Sequence, residues 1–71
     1  MNTEAIKEWL NRRPFEPFLI ALSNGESYEV RHPENVILLK TRLILGYPEA
    51  DSVVHVGLIH VNSIQPIQTV S

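Results

Sequence analysis

Seventy-one residues, 44% of them apolar and 20% charged, make one globular domain, and the balance is far from that of a disordered chain. A formal net charge of −2 and a pI near 5.8 exclude a protein coated in nucleic-acid-binding charge, while leaving room for a local basic patch. The chain has no cysteine and only three histidines, which excludes disulfides and argues against structural zinc, so association with further copies is the remaining staple for so small a core.

The first segment, NTEAIKEWLNRR, has helical spacing. Asn2 or Thr3 can cap it, Glu4 suits the first turn, and Ile6, Trp9 and Leu10 recur at i, i+3, i+4 as one apolar stripe. Arg12 and Arg13 are expected in the last turn, where cations suit the helix dipole, and Pro14 stops the helix. The spacing therefore predicts a helix over 1–13.

After the prolines the period changes to two. Phe18, Ile20 and Leu22 alternate on one strand face, and Asn24-Gly25 signals a hairpin. A two-residue loop would put Phe18 and Ile20 on the face of Glu29 and Arg31. A three-residue loop, Ser23-Asn24-Gly25 with Gly25 left-handed, pairs Phe18 with Val30 and Ile20 with Tyr28 and gathers all four apolar residues on one face. The second register is the expected one. Pro33 ends the second strand.

The remainder is also β-rich. NVILL and RLILGY flank a tight turn at Lys40-Thr41, and PEAD reads as a loop. SVVHVGLIHV and SIQPI follow, with a bend at Gly57 and Pro66 at an edge or strand end. Apolar SVVHV is the expected free edge. The predicted fold is mainly β: one domain over 1–71, with a helix over 1–13 and a small five- to six-stranded antiparallel barrel over 14–71.

Several stretches carry a family likeness. Two arginines at the helix end, Pro17, Ile20, Asn24-Gly25 and VILLK at Val36 to Lys40 resemble the Sm-like superfamily, and within it the Hfq family of bacterial RNA chaperones. The resemblance implies an Sm-like or SH3-like barrel, a closed homo-oligomeric ring, and weak binding of single-stranded RNA. The RNA contacts it implies are Arg12 and Arg13 on a basic rim and His60 near the pore. Asn35 and Ala21 stand where the family stacks bases on aromatics, and Ile59 replaces the lysine before the histidine, so much of the RNA grip is missing. RPFEPFLI…G…YEVRHPE also resembles a group of short bacterial proteins, a likeness that implies no activity.

The residues themselves leave a second reading open for each site. Arg12 and Arg13 can neutralise their own helix terminus, diluted by Glu8 and Glu16, and His60 can simply bond backbone at a bend. Arg31, His32 and Glu34 form either an interaction loop or a polar turn after a strand. His55 and His60 are five apart, an offset that sends them to opposite faces of a continuous strand, so no metal site is expected. Nor is a cofactor or an enzyme: the chain has neither a nucleophile elbow nor a P-loop, and a domain this small offers Glu26, Glu29 and Glu34 few water-excluding clefts. Trp9, Phe15, Phe18 and Tyr28 are needed mostly for packing.

Two functions follow from different classes. The expected one is an RNA-binding ring, the more specific claim and the one the resemblance favours. The alternative is a protein-interaction or structural module that binds no nucleic acid, favoured by the acidic balance and the missing aromatics. No basic start is followed by an apolar run, and the longest apolar runs are far too short to cross a bilayer, so a cytoplasmic protein without a signal peptide or membrane span is expected.

Overall fold

The computed structural model describes residues 1–67. One helix, α1 (Thr3–Leu10), precedes six strands: β1 (Phe18–Leu22), β2 (Ser27–Val30), β3 (Val36–Leu38), β4 (Arg42–Tyr47), β5 (Ser52–Gly57) and β6 (Val61–Pro66). The strands form two antiparallel three-stranded sheets, ordered β2-β1-β6 and β3-β4-β5. Three short 3-10 turns, Pro33–Asn35, Pro48–Ala50 and Leu58–His60, link β2 to β3, β4 to β5, and β5 to β6. The first and third carry the chain from an edge of one sheet to an edge of the other, and no strand pairing joins the sheets among the described residues.

Asn2 caps α1: its Oδ1 accepts from the Ala5 amide at 3.0 Å, a bond worth about 1 kcal/mol. The helix ends earlier than its sequence suggests. Asn11 closes it onto the Lys7 carbonyl, so Arg12 and Arg13 lie beyond the last turn. Ile6 is fully buried, and Trp9 reaches Phe18 with ring centroids 5.4 Å apart. Packing of this stripe holds an eight-residue helix that would be marginal in isolation.

The hairpin takes the expected register, with Phe18 opposite Val30 and Ile20 opposite Tyr28. Gly25 adopts φ 91°, a conformation that L side chains resist, and the Leu22 amide bonds the Glu26 carbonyl at 2.8 Å. Phe18, Ile20 and Val30 are buried from this sheet, joined by Val61 of β6. From the facing sheet come Leu43 and Leu45 of β4 and Val56 of β5, every second residue, as a strand with one face on a core requires. Leu58 seals the corner between β5 and β6. Each such side chain contributes about 1.5–3 kcal/mol on leaving water.

Candidate functional site

Both corners between the sheets border a depression. The first follows β2, where Pro33 presets a 3-10 turn and Gly46 lets β4 come close: a Cβ on Gly46 would stand 3.4 Å from the Asn35 carbonyl. Here Glu29 to His32 form one wall of a cleft of about 310 Å³, and Leu45 to Ala50 much of the other. Buried Val30 and Leu45 lie at its base, beside half-buried Val36. Tyr47 ties the walls together, its hydroxyl donating to the Glu29 carbonyl at 2.9 Å. Arg31 Nε bonds Glu29 Oε2 at 2.8 Å, and His32 Nδ1 lies 3.8 Å from Glu34 Oε1. The proposed interaction loop is thus an exposed Arg31–Glu29 ion pair and a His32–Glu34 contact beside a partly apolar cleft. Glu49, at the opposite wall, has no ion-pair partner among the described residues.

The Tyr47 bond has a consequence at high pH. Burial, with the neighbouring Tyr28 and Glu29, raises the Tyr47 pKa above its ordinary 10.0. A phenol whose pKa is raised on folding contributes stability that is present below the unfolded pKa and is lost as pH rises through the folded one, because the unfolded chain gives up the proton more readily. Urea unfolding should show stability falling above about pH 10. Tyr47→Phe should cost about 1 kcal/mol at pH 7 through the lost hydrogen bond, and should weaken the alkaline decline. An unchanged alkaline slope in the variant would assign that decline to other groups.

The second depression, about 350 Å³, lies at the corner of His60, between the β1–β2 hairpin and β5. The bend after Gly57 brings His60 back over it: a Cβ at 57 would meet His60 Cδ2 at 3.2 Å. His55 lines the same depression, so two imidazoles that strand alternation sends to opposite faces share one surface. The sequence signal for this was Gly57 itself. Glu26 faces the depression with both oxygens engaged, by Asn24 Nδ2 at 3.0 Å and by the Tyr28 hydroxyl at 2.7 Å. That bond to Glu26, with slight desolvation and the carboxylate charge, holds the Tyr28 pKa above its ordinary value. Among the described residues no group of three or more His, Asp or Glu side chains is set to hold a metal ion.

Arg12 and Arg13 line neither depression. Arg13 Nη1 donates to the Leu10 and Arg12 carbonyls at 3.2 and 2.8 Å, satisfying groups left open where the helix ends. Arg12 lies 3.8 Å over the Trp9 ring and pairs with Glu16 at 3.4 Å. Both remain exposed, but each guanidinium already has partners in its own chain. The aromatics are used in packing: Phe18 is buried, with Trp9 and Phe15 against it, the latter at 5.9 Å. His60 is exposed, and its carbonyl accepts from the Ser23 amide at 2.9 Å. Among the described residues no helix is long and apolar enough to cross a membrane. Comparison with protein-family models, curated proteins and solved structures gave no match.

Proposed function

We propose that the chain is a small Sm-like barrel module that assembles with copies of itself and serves in protein interaction. The strand order supports the barrel, because two 3-10 corners turn the chain from sheet to sheet at their edges. One observation carries the assembly: the outer edge of β5. Among the described residues strand β5 pairs with β4 alone, and Val53 on it is 58% exposed. A bare apolar edge recruits another strand unless something covers it. The outer edge of β6 is also unpaired among the described residues, so β5 of one copy can pair with β6 of the next. Such head-to-tail pairing closes into a ring when the rotation allows. Light scattering should give a multiple of the 8.1 kDa chain mass, and a monomer at high concentration refutes the assembly.

A second reading, weak binding of single-stranded RNA, keeps adjacent and exposed Arg12 and Arg13 in its favour. Their existing partners and the buried aromatics favour the interaction module over it. U-rich and A-rich oligonucleotides should therefore show no saturable binding at tens of micromolar protein in low salt. Binding that falls with salt at a slope of about −0.7 per phosphate, and flattens in the Arg12→Ala, Arg13→Ala variant, would restore the RNA reading.

A further inference from the structure

The cleft beside β2 is unused by the assembly just described, which engages β5 and β6. It combines three properties that suit one class of partner. The first is a free strand edge. Among the described residues strand β2 pairs with β1 alone. The bond from the Leu22 amide to the Glu26 carbonyl, together with the register, makes Ile20–Tyr28 and Phe18–Val30 the hydrogen-bonded pairs. The backbone groups of Ser27 and Glu29 therefore point away from β1. The Glu29 carbonyl bears this out, since it accepts from Tyr47 across the cleft. That leaves the Ser27 amide and carbonyl and the Glu29 amide for an added strand, unless that strand displaces the Tyr47 bond. The second is apolar depth: Val30, Val36 and Leu45 line about 310 Å³, enough for a side chain or two and at the small end of ligand sites. The third is charge. Arg31 is matched by Glu29, while Glu49 stands at the opposite wall without a counter-ion among the described residues.

We propose that this cleft receives an extended peptide segment of a partner protein, added as a strand along the outer edge of β2, with an apolar side chain in the cleft and a lysine or arginine at Glu49. Main-chain bonds to an exposed edge supply affinity in such complexes, and alternate side chains supply selection. Glu49 sets the preference for a basic segment, and the unmatched carboxylate also disfavours an acidic one.

The probe is an acetylated, amidated hexapeptide alternating valine and lysine, titrated into the intact chain while backbone amide NMR shifts are followed. Saturable shifts are expected at Glu29, Arg31, Tyr47 and Glu49. Methylating alternate peptide nitrogens on the strand-pairing side should abolish them. A valine–glutamate peptide should fail to saturate. Glu49→Gln, an exposed change that leaves the core intact, should weaken the lysine peptide about two- to fivefold, the worth of one exposed ion pair. The proposal is overturned if no peptide gives saturable shifts at millimolar concentration in low salt, or if the shifts map to β5 and β6. It is equally overturned if the glutamate peptide binds as well, or if methylation or Glu49→Gln changes nothing. The light-scattering mass is measured separately, so loss of the peptide site and loss of self-assembly are told apart.

Discussion

Replacing Phe18 with alanine is expected to remove a large share of the protein's stability. Phe18 is fully buried on β1, the central strand of its sheet, with Trp9 of the helix and Phe15 of the proline segment packed on its ring. It joins the helix and the proline segment to the strand core. Truncating a buried phenylalanine costs about 3–5 kcal/mol in lost transfer energy and residual cavity. At about 0.05–0.15 kcal/mol per residue, a chain this short has roughly 4–11 kcal/mol in all. Urea or thermal unfolding followed by circular dichroism should show a collapsed midpoint. Ile59→Ala is the matched control: the side chain is equally apolar but 86% exposed, so its removal should stay within about 0.5 kcal/mol. Comparable losses at the two positions would mean that Ile59 is covered in the assembled state.

If the chain assembles through β5 as proposed, blocking the outer edge of β5 is expected to leave monomers that remain folded. The Leu58 amide bonds the Thr41 carbonyl at 2.9 Å, and with the β4–β5 register this directs the backbone of Val53 and His55 away from β4. His55→Pro therefore removes an outward amide that no strand among the described residues uses, in a position where proline is tolerated. Val53→Lys adds a charge to the same edge, a device that discourages pairing between chains. Light scattering should fall to 8.1 kDa in the double variant, with circular dichroism retained. Retention of the wild-type mass would place the contact elsewhere. Loss of the fold at micromolar concentration would instead show that the folded chain depends on its neighbours.

The same residues separate what is local from what is not. The inward set Leu43, Leu45 and Val56 was read only as part of two apolar runs, whereas the change of period at Pro14, the Gly25 turn and the pairing of Phe18 with Val30 were all legible in the chain. These depend on turn chemistry and strand alternation, which act over a few residues. The helix end was misplaced because Arg12 and Arg13 are compatible with a helical turn, whereas the chain already closes at Asn11. Alternation separates His55 from His60 only while the strand continues, and the corner at Leu58–His60 ends it. Tyr47 reading the Glu29 carbonyl, and the cleft that this bond spans, could be settled only by the tertiary structure. They join residues eighteen positions apart on different sheets, and which strand edges two packed sheets leave open is decided by the shape of the whole core.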